Sequence, residues 1–261
     1  MATITQHAPG TFCWPELATS DQPRAKEFYT QLFGWGSDDS PIGEGQVYTM
    51  LKLGDRQVGA LFQMGKEQAG LPPHWSSYVA VTSADEAAAK AAGLGAKVVM
   101  APFDVMDHGR MAVLQDPQGA MVAVWQAKKH FGAGVLGEPG AMTWTELLTT
   151  DPGAATRFYS GLFGWTTETK PMGPTSYTVF KRGEKDAGGM MEIVPQMGPM
   201  PPHWLNYFAV EDCDQSVAKA IMLGGEVAIP PMDVPGVGRF ALLNDPQGAG
   251  FGIVTQPQQG S

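Results

Sequence analysis

Residues 14–35 read WPELATSDQPRAKEFYTQLFGW, and residues 144–165 read WTELLTTDPGAATRFYSGLFGW. Trp14, Glu16, Asp21, Phe28, Tyr29 and Phe33-Gly34-Trp35 thus recur 130 positions later as Trp144, Glu146, Asp151, Phe158, Tyr159 and Phe163-Gly164-Trp165. Further on, Pro72-Pro73-His74-Trp75, Gly109-Arg110 and Asp116-Pro117-Gln118-Gly119-Ala120 recur 129 positions later. The copies are Pro201-Pro202-His203-Trp204, Gly238-Arg239 and Asp245-Pro246-Gln247-Gly248-Ala249. One residue is lost in mid-unit. A period of this size is that of a whole domain, far beyond a solenoid repeat.

The 261 residues therefore divide into two units, each long enough for its own core. We expect a tail over 1–10, a first domain over 11–127, a linker over 128–140, a second domain over 141–256 and a tail over 257–261. The net charge of −9 argues against nucleic acid and anionic membrane as partners, since both require a basic face. With 33 glycines and 21 prolines the chain suits many short strands joined by turns. Its two cysteines, Cys13 and Cys213, occupy non-equivalent repeat positions, as expected in a reducing compartment. No leader-like segment or long apolar run is evident, so the expected location is cytoplasmic.

Within a unit, residues 12–18 alternate as a strand. Asp21 caps a helix with Ala25, Phe28, Tyr29, Leu32 and Phe33 at helical spacing, and Gly34 ends it. Asp151, Pro152 and Gly164 do the same in the second unit. Strands follow over 47–53 and 57–64, joined by the hairpin turn Gly54-Asp55. A loop leads to a strand over 74–81, a helix over 84–93, and strands over 97–100, 110–115 and 121–125. Each unit reads as two βαβββ modules, and the fold class is α+β.

Two βαβββ modules per unit, a helix ending in Phe-Tyr-x-x-Leu-Phe-Gly-Trp and an Asp-Pro-x-Gly turn before the last strand resemble the vicinal oxygen chelate superfamily. That superfamily takes in glyoxalase I, extradiol dioxygenases and the fosfomycin and bleomycin resistance proteins. The tandem arrangement is similar to the two-domain actinobacterial members of glyoxalase-like or hydroxylase type. The resemblance implies two glyoxalase-like domains, each a curved, mostly antiparallel sheet around a cavity. It also implies a pseudo-dimeric domain pair within one monomer, with exchange of modules between units left open.

In metal-using members the resemblance implies His, Gln or Glu ligands on the first, fifth and last strands. The first-strand position, seven residues before the capping Asp, is Trp14 here and Trp144 in the second unit. The fifth-strand position is Ser76 or Leu205, and the last-strand position is Ala123 or Gly252. Tryptophan, leucine, alanine and glycine side chains offer a divalent ion no donor. No metal and no cofactor is therefore expected.

Strand alternation then directs Phe12, Trp14 and Glu16 into the first cavity, with His74, Ser76 and Tyr78 from the fifth strand. The second receives Met142, Trp144, Glu146, His203, Leu205 and Tyr207. Arg110 and Arg239 are further ligand-binding candidates, or else structural ion-pair partners. Glu16, His74, Glu146 and His203 are the catalytic candidates. Each glutamate either meets a ligand or pairs with Arg110 or Arg239, and each histidine either lines the pocket or holds its loop. His108, which has no repeat partner, is a candidate if only the first unit is active. Trp75 and Trp204 are read as packing, and the Phe-Tyr, Phe-Gly-Trp and Asp-Pro-Gln-Gly residues as core and turn.

Two functions fit. One is a metal-free protein binding a small apolar or aromatic molecule. The other is a lyase, isomerase or hydroxylase-like enzyme of aldehyde detoxification or secondary metabolism, using Glu and His as acid and base or a non-standard metal site.

Overall fold

The computed structural model describes residues 4–43, 45–68, 70–172 and 175–256. The expected tail over 257–261 lies outside them. The first unit runs β1 (Phe12–Thr19), α1 (Gln22–Phe33), β2 (Gly36–Gly43), β3 (Gln46–Leu53), β4 (Arg56–Gln63), β5 (His74–Ala80), α2 (Ala84–Gly93), β6 (Lys97–Val105), β7 (Gly109–Gln115) and β8 (Met121–Ala127). The second runs β9 (Met142–Thr149), α3 (Pro152–Phe163), β10 (Thr166–Met172), β11 (Thr175–Arg182), β12 (Lys185–Glu192), β13 (His203–Ala209), α4 (Cys213–Met222), β14 (Glu226–Val234), β15 (Gly238–Asn244) and β16 (Gly250–Thr255).

The capping signals act as their chemistry dictates. The Asp21 carboxylate accepts the Arg24 N–H, and Asp151 accepts that of Ala154. Gly34 and Gly164 end the helices at φ 70° and 72°, backbone that favours glycine. Two strands escape the sequence pattern. β2 is exposed along its whole length, so no apolar alternation marks it. β6 continues past Met100 to Val105, again as a largely exposed edge.

Each unit closes one eight-stranded sheet, in the order β2-β3-β4-β1-β5-β8-β7-β6 and β10-β11-β12-β9-β13-β16-β15-β14. Only β1·β4, β5·β8 and their counterparts β9·β12 and β13·β16 are parallel. Both modules of a sheet come from the same repeat, which answers the question of module exchange.

The exchange occurs in the core instead. Tyr29 of α1, fully buried, donates its hydroxyl to Asp245 of the second repeat at 3.1 Å and accepts Trp75 Nε1–H at 2.9 Å. Tyr159 of α3 does the same with Asp116 of the first repeat at 2.9 Å and with Trp204 at 2.8 Å. Trp35 Nε1–H reaches the Gly140 carbonyl before β9, and Trp165 Nε1–H the Gly10 carbonyl before β1. Phe28, Tyr29 and Phe33 pack on Phe251 from the opposite sheet. Buried Asn206 accepts the Ser77 hydroxyl at 2.9 Å where β5 meets β13. The helix and turn motifs are thus core, as their sequence suggests, but a core shared by the two repeats. Among the described residues no helix is long and apolar enough to cross a membrane.

Candidate functional site

β1 breaks its own alternation. Phe12 pairs with Val79 and Trp14 with Tyr78, so Cys13 is an inserted residue, a β-bulge. β9 repeats it, pairing Met142 with Phe208 and Trp144 with Tyr207. The bulge turns the residue before it to the other face. Phe12 is therefore not a cavity residue: its ring sits 4.9 Å from Trp204 and 5.7 Å from Trp165 in the shared core. Met142, also expected to face the cavity, is 3% exposed in that same core.

Beyond the bulge, Trp14, Tyr78 and Ala123 lie directly opposite one another across β1, β5 and β8. Trp144, Tyr207 and Gly252 form the same row in the second sheet. The fifth-strand member of each row is the tyrosine. Ser76 and Leu205 sit two pairs further along, opposite Glu16 and Glu146. A Cβ on Gly252 would collide with the Tyr207 ring, so that ring occupies the space a longer side chain at 252 would need. Among the described residues no three His, Cys, Asp or Glu converge. The donor set present at these rows does not fit the divalent metal of the family pattern.

Next to each row lies a carboxylate held by phenols. Glu16 accepts Tyr48 Oη–H on Oε1 at 2.7 Å and Tyr78 Oη–H on Oε2 at 2.6 Å. Glu146 accepts Tyr207 Oη–H at 3.0 Å and is bonded by Tyr177, whose oxygen accepts Trp144 Nε1–H at 2.8 Å. Burial is the largest influence on both carboxyls and pushes their pKa above the usual carboxylate range, against the lowering by the phenols. Tyr48 and Tyr177 have no place among the candidates drawn from sequence. Their signal was the repeated pair Tyr48-Thr49 and Tyr177-Thr178, 129 positions apart. Gly189, opposite Glu146, leaves the niche that the Tyr177 hydroxyl and Trp144 indole fill.

The histidines sit at the rim. His74 Nδ1 donates to the Pro72 carbonyl and His203 Nδ1 to that of Pro201, both at 2.9 Å, because a carbonyl only accepts. Each ring thus holds its loop. Only His74 acts electrostatically on its glutamate. The arginines take the structural alternative, held in ion pairs. Arg110 grips Asp85 and reaches Asp104, and Arg239 grips Asp214 and reaches Asp233. Each fork is filled by α-helix and edge-strand carboxylates, and neither arginine touches a glutamate of the candidate site. His108 stands in an exposed turn beside Asp107.

The two copies differ in what faces solvent. In the first, Trp14 is 4% exposed while Glu16 stays partly accessible. The segment over 128–140 presses on this side: the His130 ring meets Trp14 edge-on at 4.7 Å, and Ala133 N–H bonds the Cys13 carbonyl at 2.8 Å. Burial lowers the His130 pKa to about 4, so it packs as a neutral ring. In the second copy Trp144 is partly accessible and Glu146 is 7% exposed. From each row an apolar track continues across the sheet. It runs Tyr78–Ala123–Val113–Met100 in one and Tyr207–Gly252–Leu242–Ile229 in the other.

Residues 11–124 and 141–253 both match the Glyoxalase/Bleomycin resistance protein/Dioxygenase superfamily. The chain is 44% identical over 263 residues to a protein of Mycobacterium bovis named "Putative glyoxylase CFP32", covering 99% of this chain and 100% of that one. It is 37% identical to the anthracycline biosynthesis protein DnrV of Streptomyces peucetius, over 96% and 95% of the two chains. Among solved structures, the 2,3-dioxygenase LapB from Pseudomonas sp. KL28 superposes with a TM-score of 0.66 at 12% identity, over 95% of this chain and 94% of that one. A Mn(II)-bound glyoxalase from Novosphingobium aromaticivorans gives 0.66 at 14% identity, over 95% and 82%. At such identities these two structures speak for the fold alone.

Proposed function

The chain belongs to the Glyoxalase/Bleomycin resistance protein/Dioxygenase superfamily, and we propose that it acts within it as a metal-free receptor for a flat, largely apolar small molecule on its concave faces. The row Trp–Tyr–Ala or Trp–Tyr–Gly, whose first-strand and last-strand members stand where the family resemblance implies metal ligands, carries this reading. At those two positions it replaces donors by an indole and a small residue, with a phenol between them. Aromatic walls with a few polar anchors favour planar ligands. The resemblance to an anthracycline biosynthesis protein is consistent with a polycyclic aromatic ligand.

Titration with 1,4-dihydroxyanthraquinone, followed by tryptophan quenching, tests the reading. Saturable micromolar binding is expected, weakened at least tenfold by Trp144→Ala. Absence of saturable binding up to the solubility limit overturns it. Metal analysis of the purified protein tests the metal-free part, which a stoichiometric divalent metal overturns.

One observation supports a catalytic alternative. Burial raises the pKa of each glutamate against the lowering by its phenol partners, and a carboxyl raised in this way is suited to acid–base work. Under that alternative Glu146→Gln removes turnover of a bound substrate and leaves its affinity intact.

A further inference from the structure

The first repeat supplies an occupant for its own concave face. Segment 128–136, leaving β8, crosses that face as a strap. The Lys128 and His130 N–H groups bond the His108 carbonyl, both at 3.0 Å. Trp125 Nε1–H holds the His130 carbonyl at 2.9 Å, and His130 Nε2 meets Gln57 Oε1 at 3.0 Å. Ala133 N–H takes the carbonyl of the bulge residue Cys13 and Gly134 N–H that of Gln57, both at 2.8 Å. Gly132 comes down so close that a Cβ there would stand 2.5 Å from the Cys13 carbonyl. Ala133 is fully buried, in one cluster with Trp14, Tyr78, Met111, Ala123 and Trp125. An indole, an imidazole and a methyl group thus cover this face.

The second repeat has the same seat without that cover. Val254 takes the place of Trp125: it lies opposite Phe240 as Trp125 lies opposite Met111. Among the described residues, those packed together on this face all come from the second sheet and its β12–β13 loop. Trp144, Ile193, Met197, Met200, Phe240 and Leu242 stay partly accessible there. Leu148 and Leu205 replace Ala18 and Ser76 at the same register, which makes this face the more apolar of the two.

We infer, on the receptor function proposed above, that the first repeat is a self-occupied copy and that the chain takes one ligand, an aromatic polycycle, on the second repeat, where Val254 admits it. The first repeat shows the chemistry of the occupant, since the rings of Trp125 and His130 lie over Trp14 where the second repeat leaves Trp144 partly bare. Trp144 and Phe240 offer such a ligand aromatic contact, and the unbranched thioethers of Met197 and Met200 adapt to its outline. Burying this face against a polycycle removes apolar surface from water, as the strap does in the first repeat.

Full-length protein labelled at the methionine ε-methyl groups, titrated with 1,4-dihydroxyanthraquinone by NMR and calorimetry, tests this. One equivalent per chain is expected. The Met197 and Met200 methyl signals should shift with occupancy, while those of Met50 and Met111 on the first face stay. Val254→Trp, which places the first repeat's indole on the second face, should weaken binding at least tenfold. Two equivalents per chain, or one that moves Met50 and Met111 instead, overturn the inference and leave the receptor function standing. So does a folded Val254→Trp protein of undiminished affinity; if that variant does not fold, stoichiometry and methyl shifts decide. Absence of saturable binding overturns the receptor function, and the inference with it.

Discussion

Tyr29→Phe removes one oxygen from the clasp that joins the two sheets. In the intact protein this oxygen donates to Asp245 at 3.1 Å and accepts Trp75 Nε1–H at 2.9 Å, with Tyr29 fully buried. The ring remains to fill its space, so no cavity term enters. A hydrogen bond to a charged group contributes about 1.5–3 kcal/mol, and a buried donor left without a partner costs about 1–3 kcal/mol. Asp245 keeps its bonds from the Gln247 and Ala249 N–H groups, which cushions the loss. We expect a destabilisation of about 2–4 kcal/mol, read from urea midpoints at unchanged slope. Tyr159→Phe, which breaks the bonds to Asp116 and Trp204, should cost the same within about 1 kcal/mol. Because each clasp ties one repeat's helix to the other repeat's turn, either variant should loosen both repeats together. A loss below about 1 kcal/mol for both variants, or unfolding of only one repeat in hydrogen exchange, refutes the reasoning.

Glu146 has a folded-state pKa raised above its unfolded value, so the folded protein holds that proton more tightly. Its contribution is favourable below the unfolded value and is lost as pH rises through the folded one. Glu146→Gln should flatten the decline of Tm between pH 4 and 8; an unchanged slope counts against the assignment. Gly252→Ala should destabilise by about 1–3 kcal/mol through collision with the Tyr207 ring, and a double-mutant cycle with Tyr207→Ala should show that the clash is relieved. Additivity would mean that the ring does not occupy that space. Arg110→Gln should leave Tm nearly unchanged, because its pair with Asp85 is solvent-exposed and screened, and should leave ligand affinity untouched. Weakened binding would return Arg110 to the site.

The duplication, the module order and the capped helices were legible from residues 14–35 and 144–165, because capping, helical spacing and turn chemistry are local. The same stretch put Trp14 at the position where the resemblance implies a metal ligand, two residues before Glu16. Edge strands β2 and β6 were poorly marked, since strands with little buried face carry little alternation. Phe12 was misplaced because one bulge at Cys13 reverses the face of everything before it, and nothing in the alternation announces a bulge. Tyr48 and Tyr177 joined the site through β3 and β11, two strands away from the glutamates they bind. Arg110 and Arg239 left it because their carboxylate partners arrive from helices 25 residues upstream. Sequence by itself determined which elements form and that they form twice. Tertiary structure decided which face each side chain shows and which partners meet it. Those outcomes depend on register and on contacts between distant strands, which no local pattern encodes.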